Sequence, residues 1–153
     1  MILVREATAD DLPRLGALFD AYRVFYGQPP NPFAAQFFMG ERLKRADSKI
    51  FLAVDNEKHQ SVGFVQLYPT FSSVRVGRLW ILNDIFVRED MRRTGIANAL
   101  VDAVEIFARS TNAVGLTLMT AHTNAAAQAL YRKRGFTRDD EFVAFHKYFV
   151  EKT

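Results

Sequence analysis

The stretch NDIFVREDMRRTGIA, residues 83–97, constrains this chain more than any other. Apolar residues close a strand at Val87, a short polar crossing follows, and a helix opens around Gly95. That helix runs on to Ser110 with Ile96, Leu100, Val104 and Phe107 along one face. Backbone N–H groups at a helix start converge on one point, and the helix dipole adds about half a positive charge there. Gly95 and the small Ala97 let a ligand approach the backbone, and Arg92 and Arg93 add forked donors suited to phosphate. The segment therefore reads as a pyrophosphate cradle. The competing reading is an ordinary strand-to-helix turn with solvated arginines. It is neither a Walker loop, which needs Gly-Lys-Ser/Thr, nor Gly-x-Gly-x-x-Gly.

The flanking elements follow from periodicity. Ile2 to Glu6 alternates as a half-buried strand does. Thr8 is placed to cap a helix, Asp10 and Asp11 sit where its dipole favours anions, and Leu12, Leu15, Leu18, Phe19 and Tyr22 recur at helical spacing. Gly27 to Pro32 stops that helix, and Phe33 to Arg45 predicts a second. The period then becomes alternating. Lys49–Asp55, Ser61–Tyr68 and Gly77–Val87 predict three strands of an antiparallel meander. After the helix from Gly95, a strand over Val114–Thr120 and a short helix over Asn124–Lys133 are expected. A strand beginning at Phe136–Arg138 and an aromatic strand over Phe142–Val150 complete the set. No repeat, linker or low-complexity segment interrupts it, so residues 1–153 are expected to form a single domain.

A second segment bears on ligand binding. Asn124 to Phe136, NAAAQALYRKRGF, is a helix of small residues ending at a glycine. Asn124 either caps it or turns its amide to a ligand, and Tyr131, two turns on, lies on roughly the same face. Taken singly, capping and packing are the plainer roles.

Together the two segments resemble the GNAT superfamily of N-acetyltransferases. Its coenzyme A signature, Gln/Arg-x-x-Gly-x-Gly/Ala, matches Arg92-Arg93-Thr94-Gly95-Ile96-Ala97, and it follows a hydrophobic-aromatic-valine strand end, here Ile85-Phe86-Val87. The family's second segment is matched by Asn124, Ala127, Leu130, Tyr131, Gly135 and Phe136. The order of elements agrees over nearly the whole chain, and is most similar to the branch of histone, polyamine and amino-acid acetyltransferases.

The resemblance implies an α/β (α+β) domain with a mixed, mostly antiparallel sheet of six to seven strands, a splayed central strand pair and about four helices. It implies that acetyl-coenzyme A lies along Ile85, Phe86 and Val87, with its pyrophosphate on the backbone of Arg93 to Ala97. Arg92, Asn124, Ala127, Tyr131 and Arg134 join the cofactor-binding set. A primary amine would attack the thioester directly in a ternary complex, through an oxyanion met by the backbone N–H near Phe86 or Val87. Tyr131 holds the family's position for protonating the leaving thiolate. Related polyamine enzymes carry Glu-Asp where this chain has Asn83-Asp84, so the general base falls to Asp84, directly or through water. A structural or substrate-binding Asp84 stays open as an alternative. Tyr26, Phe33, Asn83, Asp84 and Phe142 are the candidate acceptor-binding residues. The acidic run Asp139-Asp140-Glu141 is weighed as a solvated turn against an attractor for cations.

Composition removes other chemistries. There is no cysteine, which excludes disulfides, zinc thiolates and a thioester enzyme intermediate. No Gly-x-Ser-x-Gly elbow offers a serine nucleophile. The three histidines are too scattered for metal spacing, His122 included, so no metal is expected. A net charge of +3 does not require nucleic acid, and the arginines lie outside any recognisable nucleic-acid module. The first residues lack a signal-peptide pattern and no run is apolar enough to span a membrane, so a cytoplasmic protein is expected. A non-catalytic acyl-coenzyme A sensor and a peptide lysine or N-terminal acetyltransferase are the alternative functions. A homodimer is the candidate assembly.

Overall fold

Alternation at the chain start gives β1, Ile2–Glu6. The predicted cap at Thr8 takes a particular form: its backbone N–H donates to Asp11 Oδ2 at 2.8 Å, closing a tight turn over Ala9–Asp11 that leads into α1, Leu12–Phe25. Asp11 also receives both terminal nitrogens of Arg5, each at 2.8 Å. That bidentate pair holds the Asp11 carboxyl down at about 2, against an ordinary 3.8. A depressed carboxyl stabilises the fold above its unfolded pKa and ceases to do so as pH falls through the folded one. Arg5→Met is therefore expected to cost about 1–2 kcal/mol at neutral pH. The gap between its urea midpoint and that of the wild type should shrink from pH 6 to pH 3; a gap independent of pH would contradict the assignment.

The proline-rich stop lies where expected. Asn31 Oδ1 accepts the Ala34 N–H at 3.1 Å and Pro32 occupies the first position of α2, Pro32–Arg45. The meander follows as β2 (Lys49–Asp55), β3 (Gln60–Ser72) and β4 (Gly77–Val87), all antiparallel, with β1 added antiparallel to β2. α3 (Ile96–Ser110) then returns the chain so that β5 (Gly115–Leu118) runs parallel to β4. The sheet order is β1-β2-β3-β4-β5.

Alternate residues of the sheet feed two layers. Leu52, Val54 and Phe64 pack with Leu15, Leu18 and Phe19 of α1 and Ala35 and Met39 of α2. On the opposite face α3 buries Leu100, Val101 and Val104, and its Phe107 ring lies 5.8 Å from Phe51 and 4.9 Å from Trp80.

Two irregularities in β4 matter for function. β5 pairs with β4 only from Leu79 to Leu82, so β4 continues to Val87 with that edge bare. The β3 register also slips: Gln66 faces Asp84 while Leu67 faces Leu82, leaving Asn83 as the extra residue of a bulge.

The computed structural model describes residues 1–151, in two compact units, Met1–Met119 and the residues from Thr120 onward. The first holds everything above. The second holds α4, Ala125–Lys133, capped by Asn124 Oδ1 accepting the Ala127 N–H at 3.2 Å and stopped by Gly135 in the left-handed region.

The expected six or seven strands are corrected to five among the described residues. Neither Phe136–Arg138 nor Phe142–Val150 is a strand. The aromatic run has strand-like composition but finds no ladder partner in its own unit, and β propensity expresses packing on neighbours rather than an intrinsic backbone preference. Phe142, Phe145 and Phe149 are all exposed. Among the described residues no helix is long and apolar enough to cross a membrane, and no group of three His, Asp or Glu is placed to hold a metal ion.

Candidate active site

The bare edge of β4 is the first part of the site. Arg88 turns its N–H to Val62 O of β3 at 2.9 Å, so alternation turns Phe86 toward β3 too. Ile85 and Val87 then point their N–H and C=O groups to the open edge. Of the two amides anticipated as oxyanion donors, the Val87 N–H is directed to the open edge and the Phe86 N–H to β3.

The second part is the mouth of α3. A short turn over Glu89–Met91 precedes it, and Arg93 (φ 61) and Gly95 (φ 83) both lie in the left-handed region. Such a sequence of conformations makes a concave nest of N–H groups, extended by the first unbonded donors of the helix at Ile96 and Ala97. A Cβ built on Gly95 meets nothing within 4 Å, so the space above the nest is open. Arg93 and Thr94 are exposed, and Thr94 Oγ1 donates to Met91 O at 2.6 Å, which fixes the turn. These features fit a diphosphate.

Arg92 is placed differently from Arg93. Its Nε donates to Val87 O at 3.1 Å, and its guanidinium lies over the rings of Phe25 and Phe86, 5.2 and 5.6 Å from their centroids. It rivets the end of β4 to α1. Its Nε also occupies the Val87 carbonyl, leaving the Val87 N–H as that residue's outward group.

The third part is Asp84, just after the bulge and only 5% exposed. Its Oδ2 accepts from Gln66 Nε2 at 2.7 Å, its Oδ1 from Asn83 Nδ2 at 3.1 Å, and the Tyr22 hydroxyl also bonds to it. Burial raises the Asp84 carboxyl above its ordinary value, outweighing these three donors, each of which favours the ionised form. Burial, and then the charge of Asp84, likewise pushes Tyr22 well above the ordinary phenol range and Tyr68 up to about 12. A buried carboxyl with a raised pKa holds a proton more readily than an exposed one.

Aromatic rings wall this carboxyl. Tyr22 meets Tyr26 at 5.0 Å and Phe86 at 6.4 Å, and Phe25 meets Tyr26 at 5.2 Å. Asn83, Asp84 and Tyr26 from the sequence reading thus belong to one neighbourhood. Phe33 packs instead on Phe37, 6.5 Å away. The residues missed by sequence are Tyr22, Phe25 and Gln66. Tyr22 was legible only as a core position of α1.

In the second unit Tyr131 is buried on α4, its ring 5.6 Å from Phe136. Asn124 Oδ1 is committed to the cap, while Ala127 and Arg134 lie on and just after the same helix. Phe142 is exposed beyond it.

Residues 15–136 match the family model described as Acetyltransferase (GNAT) family. The chain is 39% identical over 142 residues, 93% of this chain and 94% of the other, to the uncharacterized N-acetyltransferase YhfO of Bacillus subtilis. The crystal structure of a probable acetyltransferase superposes with TM-score 0.91 at 39% identity, covering 98% of this chain and 99% of that one. A predicted acetyltransferase from Clostridium acetobutylicum, solved with acetyl-CoA, shares the fold at TM-score 0.77 and 19% identity, covering 95% and 96%.

Proposed function

The chain belongs to the acetyltransferase (GNAT) family, and on that premise we propose that it moves the acetyl group of acetyl-coenzyme A onto the primary amine of a small molecule. The observation that carries this reading is β4 itself: one strand bears a bare edge, a buried carboxyl beside it, and a diphosphate-shaped nest at its end.

Acetyl-coenzyme A supplies an activated thioester. The outward backbone of Ile85 and Val87 would pair with its pantetheine amides as a partial added strand. The nest from Arg93 to Ala97 would hold the diphosphate, with the Arg93 guanidinium beside it. Asp84 takes the proton of the amine, through a water where the amine stops short of it. The neutral amine nitrogen then forms the bond to the acetyl carbon as the carbon–sulfur bond breaks, its remaining surplus proton is lost to solvent, and the Val87 N–H faces the carbonyl oxygen. Tyr131 gives its proton to the departing thiolate and regains one from solvent. Tyr131, Asn124, Ala127, Arg134 and Phe142 enter this account by family resemblance. The family match draws on both units, which supports reading them as one catalytic domain.

The acceptor follows from the wall around Asp84. Tyr22, Phe25, Tyr26 and Phe86 give an apolar, aromatic surface with one buried negative charge. That favours a small amine with an apolar or aromatic body over an extended polycation, which needs a continuous acidic groove. The test is kcat/KM across aromatic monoamines, free amino acids, spermidine and a lysine-rich peptide. The aromatic monoamines or amino acids are expected to lead; a lead of more than about tenfold by spermidine or the peptide, about 1.4 kcal/mol of transition-state preference, would overturn this acceptor class.

A further inference from the structure

Gln66 is completely buried on β3, on the face that otherwise supplies Phe64, Leu52 and Val54 to the core. A carboxamide there is costly unless every polar atom is satisfied. Its Oε1 accepts the Ser48 hydroxyl at 2.8 Å, and its Nε2 donates to Asp84 Oδ2 at 2.7 Å and to Tyr68 OH at 3.2 Å. Gln66 and Asp84 are direct cross-strand partners at the last regular step before the bulge. Ser48 lies just ahead of β2.

We propose that Gln66, held by Ser48, is the positioning residue that orients the Asp84 carboxylate and sets the pH at which it works as a base. This rests on the reading of Asp84 as the base. Ser48 acts on the far end of the amide: while its hydroxyl occupies Oε1, Gln66 must turn its NH2 to Asp84. The carboxylate keeps one oxygen for Gln66 and the other for Asn83, and the plane of the group is fixed between β3 and β4. The polar and titratable groups facing Asp84 are Tyr22 from α1, Gln66 and Tyr68 from β3, and Asn83 from β4. Arg42 of α2 and Asp47 act on Tyr68. Among the described residues, no cation contributes to the shift of Asp84 that could offset the loss of the Gln66 donor.

The sign of the effect follows directly. Gln66 bonds to the ionised carboxyl and favours it, so removing the donor raises the Asp84 pKa further. The acidic limb of the kcat/KM profile should move to higher pH. In Gln66→Met, which keeps volume and removes the donor, a shift of about one pH unit is expected, a tenfold loss on the limb. The plateau at high pH should approach that of the wild type. Ser48→Ala, which disturbs the core least, should shift the limb the same way by less and serves if Gln66→Met folds poorly. A merely structural Gln66 would lower the plateau or raise KM without moving the limb. Asp84→Asn separates the two claims. If its limb disappears while Gln66→Met and Ser48→Ala leave the limb in place, the role of Gln66 is wrong and the base stands. If Asp84→Asn retains the limb, Asp84 is not the base and the inference falls with it.

Discussion

Tyr131→Phe is expected to lower kcat by about 10²–10⁴, the range of a positioned general acid, with little change in affinity for acetyl-coenzyme A. The substitution is a clean one in this fold. Tyr131 is buried on α4 with its ring edge-on to Phe136, and its carbonyl accepts the Phe136 N–H at 2.9 Å. Phenylalanine keeps the ring contact and the backbone bond, so only the hydroxyl is lost. Deleting one hydroxyl costs about 1 kcal/mol of stability, far less than the catalytic effect. The defect should fall on the step that releases thiol, and a better leaving group than coenzyme A thiolate should reduce it. A near wild-type kcat would mean that water protonates the thiolate and that Tyr131 only packs.

Charge reversal at the mouth of α3 is expected to weaken acetyl-coenzyme A binding by more than about a hundredfold. A carboxylate about 4 Å from a phosphate charge costs about 4 kcal/mol at the effective dielectric of a protein surface. Arg93→Glu makes this change on an exposed side chain whose backbone is already left-handed, so the fold should tolerate it. Gly95→Glu adds a second effect, because φ 83 costs any residue with a Cβ about 1–2 kcal/mol. Gly95→Ala carries the same strain without charge and meets no neighbour within 4 Å. The affinity lost between Gly95→Ala and Gly95→Glu therefore isolates the electrostatic part. Calorimetry giving all three variants wild-type affinity would remove the diphosphate from this nest.

The strand-to-helix turn ahead of α3 was legible in sequence because it is local. Gly95, Arg93 and the amphipathic helix are consecutive, and their chemistry depends on backbone conformations that short-range signals predict. The meander was legible for the same reason, through alternation and the polar turn after Asp55. The environment of Asp84 was not. Two of its three donors come from β3 and α1, and only the β3 register brings Gln66 opposite it. The slip that creates the bulge at Asn83 leaves no trace in hydrophobic periodicity. Arg92 illustrates a different limit: residue type suggested a phosphate donor, whereas its Nε is tied to Val87 O by a turn whose geometry sequence does not show. The last expected strand came from aromatic content in residues 142–150, and composition alone supplies no pairing partner.

The central claim is turnover onto an amine, and its most direct measurement follows free thiol and product mass together. The purified chain is incubated with acetyl-coenzyme A and each of a panel of small primary amines. The expected result is thiol release that depends on the amine, matches the N-acetylated product mole for mole, and is lost in Arg93→Glu. Tight binding of acetyl-coenzyme A with no amine-dependent thiol release from any member of the panel would contradict it.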